Sequence, residues 1–441
     1  MLITAEGGVY GCLFSDDGRY FEVGAGADRR LPLRTMSTRY LSAHEAAAEL
    51  GISVPTLYAY VSRGLICSEE TGGSKRTRRY HAEDVARLKQ RQQQRRDPQA
   101  AVEGSLHWGA PVLESALTLI ADGKLFYRGH DATALATSQT IEQVAALLWL
   151  DDPAQAAAVF ADQSGPLPAA IQAVQGHLAH VSPFEQLSMA LPIAAAHDLA
   201  AYDLQENAVA RTGARILLLL TETITGESVG MNGIAPALQQ HWAPDDGNAA
   251  RVINAALILC ADHELNVSAF TARCVASAGA TPYAVVQAGL AALGGFRHGG
   301  QTERAVQLLQ EAGSQNNLRA VVAHYLRRGE PIPGFDHALF PEGDPRAVTL
   351  LDLLASTYPS AAAVVLVQAL VEQVRAATNK QPNIDLALAT LARTLDLPFS
   401  AGLALFALGR TVGWVAHAIE QYATNQLIRP RARYTGKQPD R

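Results

Sequence analysis

The sequence predicts a mainly α-helical protein, and three observations support this fold class. Long Ala- and Leu-rich segments, such as residues 141–150, 248–260 and 360–377, repeat apolar side chains at the three- and four-residue spacing of amphipathic helices. Pro and Gly punctuate these segments, and alternating strand patterns are scarce. A chain of 441 residues that is 48% hydrophobic is also long enough for two or three domains with a sizeable buried core.

The composition argues against several classes of protein. No apolar run approaches the length that crosses a membrane, and the first residues lack the basic-then-apolar order of a secretory signal. The four cysteines show no metal-ligand spacing and no paired framework, so we expect reduced thiols and no bound metal. These features predict a cytoplasmic protein that is not inserted in a membrane.

Residues 1–35 are Gly-rich and irregular, and Met36 stands immediately before the first strongly patterned stretch. We therefore interpret this segment as an extension that is either disordered or absent from the native protein. In the second case the native start is Met36 rather than Met1. Mass spectrometry that finds native protein beginning at Met1 would contradict that alternative.

Residues 36–96 are predicted to form a small separate domain that contains two short helices joined by a tight turn. The first helix has the serine and glutamate of a capping box and stops at a glycine; the second opens on a serine and a proline before another glycine ends it. These signals are Ser42, Glu45 and Gly51 for the first helix, and Ser53, Pro55 and Gly64 for the second. Such a pair of helices is typical of a helix-turn-helix.

The same domain carries a concentration of positive charge. Between Gly73 and Arg96, nine Lys or Arg residues stand against two acidic ones, in a chain whose net charge is −6. The arrangement resembles the winged helix-turn-helix of MerR-like and excisionase-like DNA-binding domains, with the basic stretch as the wing. The resemblance implies DNA contacts from the second helix and the wing, namely Thr56, Tyr58, Arg63, Lys75, Arg76, Arg78 and Arg79. We favour this interpretation over a domain retained to dock another protein.

A second group of residues, spread over the rest of the chain, is suited to forming a carbon–carbon bond on a dicarboxylate. Histidines polarise carbonyls, an aspartate removes a carbon-bound proton, and arginines clamp carboxylates. The motifs that contain them are Ala261-Asp262-His263-Glu264, His298-Gly299-Gly300, Gly334-Phe335-Asp336-His337, Asp344-Pro345-Arg346, Asn383-Ile384-Asp385, Arg410-Thr411-Val412-Gly413-Trp414 and Ile428-Arg429-Pro430-Arg431. At these motifs, and at Tyr127-Arg128-Gly129, the chain resembles the citrate synthase family over about residues 105–436.

The resemblance implies an enzyme with a large helical domain (residues 105–297 and 398–436) and a small one (residues 298–397) that closes on it. The implied reaction is condensation of oxaloacetate with acetyl-CoA or propionyl-CoA, which gives citrate or 2-methylcitrate and free CoA. No cofactor is bound permanently in such an enzyme, because acyl-CoA is a co-substrate. The resemblance also implies a homodimer.

Three residues match the catalytic groups of the family. The methyl group of a thioester is a very weak acid, so the base needs a donor at the developing enolate oxygen. His298 matches that donor, Asp385 matches the base, and His337 matches the histidine that hydrogen-bonds the oxaloacetate ketone. Taken without the family, Asp385 has two interpretations: apolar neighbours could bury it and raise its pKa, or it could help Asn383 to cap the next helix.

Five further residues match substrate contacts of the family. His263 matches another oxaloacetate-binding histidine, and Arg346 and Arg410 match carboxylate clamps. Phe406 matches a phenylalanine near the reacting methyl group, and Arg429 an arginine that crosses the dimer interface into the partner's site. The pattern supports Arg410 independently, because it lies on an otherwise apolar helix face where a charge needs a partner such as a substrate carboxylate.

The chain departs from the family pattern on the side that binds the acyl carrier. Members commonly have Gly-Phe-Gly-His followed by an arginine that helps to hold the coenzyme A phosphates, but here Asp336 precedes the histidine and Ala338 follows it. Gln301-Thr302 replaces an alanine–asparagine pair, and Arg297 is an unusual neighbour of His298 that could serve as a phosphate contact. We therefore expect a changed acyl donor.

The main rival hypothesis is a catalytically weak sensor, in which dicarboxylate binding and domain closure control DNA binding. Arginines that bind a dicarboxylate serve a sensor and an enzyme equally well. A sensor, however, has no need of an enolisation pair, so the joint presence of His298 and Asp385 favours the enzyme.

Overall fold

The computed structural model of the chain describes residues 12–14, 20–22, 40–63, 65–71, 77–82, 84–85, 88, 113–161, 163, 169–178, 180–437 and 439. The chain falls into two compact units that divide between Glu114 and Ser115. Helices make up most of the second unit, so the predicted mainly α fold is confirmed.

In its described residues, the first unit combines short antiparallel strands with the two helices α1 and α2. Strand β1 pairs with β2, and a separate three-stranded sheet has the order β3-β5-β4. The elements in chain order are β1 (Cys12–Phe14), β2 (Tyr20–Glu22), β3 (Tyr40–Leu41), α1 (Ala43–Leu50), α2 (Val54–Ser62), β4 (Ser68–Thr71) and β5 (Thr77–His81). The β4–β5 hairpin corresponds to the predicted wing; Lys75 and Arg76, which stand between its two strands in the sequence, lie outside the described residues.

The predicted starts of both helices and the stop of the first one are confirmed, whereas Gly64, the predicted stop of the second helix, lies outside the described residues. The Ser42 hydroxyl accepts from the Glu45 backbone N–H while the Glu45 carboxylate accepts from the Ser42 backbone N–H, which is a complete capping box. Helix α1 ends at Gly51, whose φ of 61° favours glycine. Ser53 caps α2, which ends at Ser62. The two helices and the sheet enclose a small core of Ala46, Ala47, Leu50, Leu57, Ile66, Tyr80 and Val85.

The second unit begins with a strand meander that the sequence analysis does not anticipate. Strands β6 (Thr118–Ala121), β7 (Lys124–Tyr127) and β8 (His130–Asp131) form an antiparallel sheet. The helices that follow are α3 (Ala132–Ser138), α4 (Ile141–Leu150), α5 (Ala156–Phe160), α6 (Ala169–Leu178), α7 (Pro183–Ala195), α8 (Glu206–Thr225), α9 (Ile234–Trp242), α10 (Ala249–Cys260), α11 (Val267–Ser277), α12 (Pro282–Leu293), α13 (Gly300–Ala312), α14 (Leu318–Arg328), α15 (Pro345–Thr357), α16 (Ala362–Thr378), α17 (Ile384–Thr394) and α18 (Ala401–Thr424). Short 3-10 turns lie at Pro153–Gln155, Leu199–Tyr202, Gly230–Asn232 and Gln315–Asn317.

Helix α18 runs through the main apolar core. Trp149 of α4 donates its indole N–H to the Val412 carbonyl of α18 at 2.9 Å, and both tryptophans of this contact region, Trp149 and Trp414, are fully buried. Helix α12 approaches so closely that a Cβ at Gly289 would lie 2.5 Å from the Trp414 ring, so this position requires glycine. In the described part of the chain, α18 alone is long and apolar enough to cross a bilayer, and it is a buried core helix.

A second, smaller core lies within the span predicted for the small domain. It is built from α13, α14, α16 and one face of α17, and its members run from Ala305 to Ala389. The other face of α17, including Ala387 and Leu388, packs in the main core. Helix α17 is therefore shared by both cores, and Asp385 lies in its first turn.

Candidate active site

His263 lies in the turn that follows α10, and several hydrogen bonds hold this turn. The Tyr127 hydroxyl lies 3.0 Å from the Ile258 carbonyl and 3.2 Å from the Asp262 carbonyl, and the Gly413 backbone N–H of α18 donates to the Ala261 carbonyl at 3.0 Å. The His263 side chain is buried, and its Nε2 has no hydrogen-bond partner among the described residues. Burial, together with Arg346, lowers its pKa well below the usual value, so the ring is neutral and can donate to an incoming oxygen.

His337 faces His263 from the loop between α14 and α15. The two ring centroids are 5.1 Å apart, and the Phe340 ring lies within 5.6 Å of both. Burial lowers the pKa of His337 to about 4. The Leu339 backbone N–H donates to His337 Nδ1 at 3.2 Å, so the neutral ring carries its proton on Nε2.

Asp336, directly before His337, adopts a φ of 74°, a left-handed conformation that ordinarily favours glycine. Three contacts compensate. Its backbone N–H donates to the Gln381 carbonyl at 2.8 Å, its carbonyl accepts from the Asn383 amide at 3.1 Å, and its carboxylate lies 2.9 Å from Lys380. The family's glycine can therefore be replaced here without moving the histidine out of the cluster.

His298 approaches the same cluster from the turn before α13. Its Nε2 lies 2.9 Å from the Ser268 hydroxyl, and its ring is 6.0 Å from Phe406 on α18. Burial lowers the pKa of His298 to about 3, and Arg410 and Arg346 contribute to the decrease. A neutral ring with one nitrogen occupied by Ser268 leaves Nδ1 for a ligand.

Two buried arginines serve the cluster in different ways. Arg346 is held by Asp344, the N-cap of α15, through two bonds of 2.9 and 2.8 Å, and Asp344 also accepts from the Ile384 backbone N–H at 3.0 Å. Arg410 donates its Nε–H to the Cys260 carbonyl at 2.7 Å, but its two terminal nitrogens are buried with no hydrogen-bond partner among the described residues. A guanidinium stays charged even when burial lowers its pKa, so these donors call for an anionic ligand.

Asp385 is both next to a helix cap and buried. Asn383 caps α17 by accepting the Asp385 backbone N–H at 3.0 Å, which leaves the Asp385 carboxylate for other partners. Burial raises the pKa of Asp385 to about 6, whereas the Thr302 hydroxyl, which donates to its Oδ1 at 2.6 Å, lowers it. The two interpretations left open by the sequence are therefore compatible, because separate residues serve as cap and as buried acid.

Phe406 lies between His298 and Arg410, with the Arg410 guanidinium 4.9 Å from its ring. Arg429 is not part of this cluster. It is exposed in the segment after α18, which is anchored where the Ile428 backbone N–H donates to the Ser277 hydroxyl at 3.1 Å.

In the first unit, the predicted DNA-contacting residues are in different environments. Tyr58 and Arg63 are exposed, whereas Thr56 is half-buried with its hydroxyl 2.8 Å from Ser53. Arg79 donates to Glu69 at 2.8 Å and lies over the Tyr40 ring. The exposed Arg78 is paired in register with Glu70. The Glu69 carboxylate of β4 thus offsets part of the positive charge of the wing.

Sequence reasoning did not predict the hydrogen bonds that orient the site. Ser268, Thr302 and Tyr127 bond to residues at least 30 positions away, which no local pattern reveals. Asp344 could have been found, because an aspartate before a proline at a helix start is a capping signal and also places a carboxylate two residues from Arg346.

Two segments of the chain match known families. Residues 105–431 match the family described as citrate synthase, C-terminal domain, and residues 40–93 match a helix-turn-helix domain. Both coincide with the two parts predicted from the motifs.

Relatives and solved structures show the same likeness. Citrate synthase 2 of Bacillus subtilis is 30% identical over 359 residues, which cover 76% of this chain and 95% of that protein. A citrate synthase of Synechocystis is 36% identical over 197 residues, and this match spans only 50% of its length. The 2-methylcitrate synthase 1 of Corynebacterium glutamicum is 31% identical over 208 residues, which cover 45% of this chain and 55% of that protein. The citrate synthase structure from Thermotoga maritima has 28% identity and a TM-score of 0.63 over 76% of this chain and 96% of that one. A ternary complex of the Thermoplasma acidophilum enzyme with carboxymethyl coenzyme A and oxaloacetate shares the fold, with 22% identity and a TM-score of 0.65 over 75% and 96% of the two chains. The chain therefore belongs to the citrate synthase family of enzymes.

Proposed function

We propose that the protein condenses oxaloacetate with a short-chain acyl-CoA, acetyl-CoA or propionyl-CoA, to give citrate or 2-methylcitrate and free CoA. The observation that carries this proposal is Arg410, whose buried terminal nitrogens lack a partner in the described part of the chain, beside neutral histidines. That combination suits a dicarboxylate with a polarisable ketone. The relatives named as citrate and 2-methylcitrate synthases support the same reaction.

Oxaloacetate would bind with one carboxylate on Arg410, which can offer two parallel N–H donors. Arg346 already has a buried partner in Asp344, so it would add charge and any donor left free by that pair. The ketone would accept from His337 Nε2–H and from His263, which polarises the carbonyl carbon toward attack.

The acyl-CoA would lose a proton from the carbon next to its thioester carbonyl. Asp385 accepts that proton, and the electron pair of the C–H bond moves toward the thioester oxygen. His298 stabilises the enolate there through Nδ1–H in the tautomer in which the Ser268 hydroxyl donates to its Nε2. The enolate carbon then attacks the oxaloacetate ketone, whose oxygen takes a proton from His337 Nε2–H. Asp385 releases the proton that it accepted to solvent, and solvent reprotonates His337. Water finally cleaves the thioester bond and releases the CoA thiol with the carboxylic acid.

Free-thiol release from acetyl-CoA and from propionyl-CoA, each with and without oxaloacetate, tests this proposal. Oxaloacetate-dependent release from either donor is expected, and the faster donor identifies the preferred acyl chain. The absence of release, with oxaloacetate binding still seen by calorimetry, would favour the catalytically weak sensor.

We further propose that the first unit contacts DNA through α2 and the β4–β5 wing. Arg63 and Tyr58 are exposed on α2 and at its end, as a recognition helix requires. The Glu69–Arg79 pair limits the number of charges that can neutralise phosphates, so we expect modest affinity with a shallow but measurable salt dependence. Fluorescence anisotropy with DNA from upstream of the protein's own gene tests this proposal. The absence of salt-sensitive binding would favour a domain that docks another protein.

The active site is proposed to be completed in a homodimer. Arg429 matches the family's interface arginine, and its exposed position outside the cluster is consistent with a contact to a partner subunit. A fully active monomer at low protein concentration would exclude that role for Arg429.

A further inference from the structure

Thr302 occupies an unusual position in the cluster. Its side chain is fully buried in the first turn of α13, and its Oγ1 donates to Asp385 Oδ1 of α17 at 2.6 Å. In the family pattern an asparagine stands here. The chain thus replaces an amide with a hydroxyl at a residue in direct contact with the proposed base.

The rotamer of Thr302 is fixed by its methyl group. An ideal Cβ built at Gly402 of α18 would lie 3.2 Å from Thr302 Cγ2, so the methyl fills the space that this glycine leaves. A β-branched side chain has few χ1 choices, and anchoring the methyl determines where the hydroxyl points. Helices α13, α17 and α18 therefore meet at a contact that directs the hydroxyl at Asp385.

We propose that Thr302 is a positioning residue for the proposed base: it fixes Asp385 Oδ1 and leaves Oδ2 to take the proton from the acyl-CoA. This inference rests on the proposed function, since it needs Asp385 to act as the base. A hydroxyl donor also makes Asp385 a weaker but more fully ionised base than a buried carboxylate without a hydrogen bond.

The charges around Asp385 come from three neighbouring elements. Arg346 and Asp344 lie at the start of α15, Arg410 on α18 and the Cys260 thiol at the end of α10. The arginines lower the pKa of Asp385 and Asp344 raises it, while burial is the largest influence and also raises it. All these groups remain in place when only the Thr302 hydroxyl is removed, so their effects cancel in a comparison of variants.

The test uses Thr302→Val, which keeps the branched shape and the Gly402 contact but removes the donor, and Thr302→Ser, which keeps the donor. Because the base acts only when ionised, a higher pKa of Asp385 moves the acid limb of the kcat profile to higher pH. We expect Thr302→Val to shift this limb upward by about one unit, so that the rate at pH 6 falls roughly fivefold, with KM for oxaloacetate unchanged. Thr302→Ser keeps the donor but loses the methyl group that directs it, so its profile should lie between those of Thr302→Val and the unaltered protein.

The outcomes separate this inference from the proposed function. Unaltered protein with oxaloacetate-dependent thiol release, and loss of that release in Asp385→Asn, support the base. If Thr302→Val then keeps the original pH profile, or if Thr302→Ser is as impaired as Thr302→Val, the positioning role is wrong although the enzyme assignment stands. If the unaltered protein releases no thiol, the proposed function fails, and the positioning role fails with it.

Discussion

The two sides of the proposed site differ in how firmly the fold holds them. On the oxaloacetate side, His263, Arg346 and Arg410 are buried and arise from three separate elements that hydrogen bonds tie together. On the side proposed for acyl-CoA, Phe296 is 67% exposed with the Arg297 guanidinium 5.4 Å from its ring centroid, and Ala338 stands where the family resemblance implies a phosphate-binding arginine. The comparison teaches that the residues that match the family's oxaloacetate contacts are present in this chain, whereas residues at positions that match its coenzyme A contacts are replaced.

The largest effect is expected from Asp385→Asn. This substitution should abolish proton removal from the acyl-CoA without changing oxaloacetate binding, and so separate the two sides of the site. The substitution keeps the shape and the Thr302 contact but removes the base, and general bases contribute up to about 10⁴-fold. We therefore expect kcat to fall by roughly 10³-fold, while calorimetry shows an oxaloacetate affinity close to that of the unaltered protein. Equal loss of binding and of rate would mean that Asp385 serves the substrate site instead.

The pH dependence of thermal unfolding, compared between Asp385→Asn and the unaltered protein, tests whether Asp385 is buried. Burial raises the folded-state pKa of Asp385 to about 6, above its ordinary value of 3.8, so this group stabilises the fold at low pH and that contribution is lost as pH rises from about 4 through 6. The asparagine amide does not titrate, and thermal unfolding of Asp385→Asn should lack this decline. A decline identical in both proteins would indicate that Asp385 is not buried in solution.

Arg346 and Arg410 should respond differently when each is replaced by methionine. Removing Arg346 leaves Asp344 buried without its partner, which typically costs about 3–5 kcal/mol of unfolding free energy. Arg410 has no direct ion pair at its terminal nitrogens within the described residues, so Arg410→Met should cost clearly less. Urea unfolding measures both; equal losses would show that Arg346 and Arg410 are held in the same way.

The conservative change Arg410→Lys separates charge from geometry on the oxaloacetate side. Lysine keeps the charge but loses the planar pair of donors, so oxaloacetate affinity should fall by roughly 10- to 100-fold. Arg327→Lys, at an exposed position on α14, is the matched control and should bind normally. Unchanged affinity in Arg410→Lys would remove Arg410 from the role of carboxylate clamp.

The smallest effect is expected on the acyl side. An exposed Arg297 that contacts a phosphate contributes about 0.2–1 kcal/mol, so Arg297→Ala should raise KM for acyl-CoA by about two- to fivefold, with KM for oxaloacetate unaffected. Salt should reduce the difference, since exposed charges are screened. Steady-state kinetics at two ionic strengths make the measurement, and an effect on oxaloacetate alone would place Arg297 on the other side of the site.

Local signals made the helices of the first unit predictable, whereas long-range contacts were not. The capping box at Ser42 and the glycine stop at Gly51 are written in adjacent residues, and both occur as predicted. The β6–β8 meander was missed because its strands are two to four residues long, too short for an alternating pattern to stand out. The ion pair between Glu69 and Arg79 could not be predicted, because Glu69 precedes the basic stretch and reaches Arg79 only once the hairpin forms.

The candidate site was predictable in its residue types but not in its orientation. The motifs contain the histidines, the arginines and the aspartate that the fold brings together. The terminal nitrogens of Arg410 have no partner among the described residues, whereas Arg346 is already paired. This difference depends on the packing of α10, α15 and α18. The Thr302–Asp385 contact joins residues 83 positions apart, and only the meeting of α13 with α17 creates it.

The most direct test of the condensation chemistry is the stoichiometry of the reaction. With the unaltered protein, thiol release from acetyl-CoA or propionyl-CoA should match the loss of oxaloacetate mole for mole. With Asp385→Asn, both thiol release and oxaloacetate loss should be much slower. Thiol release that proceeds without oxaloacetate loss would reveal a simple thioesterase and contradict the account.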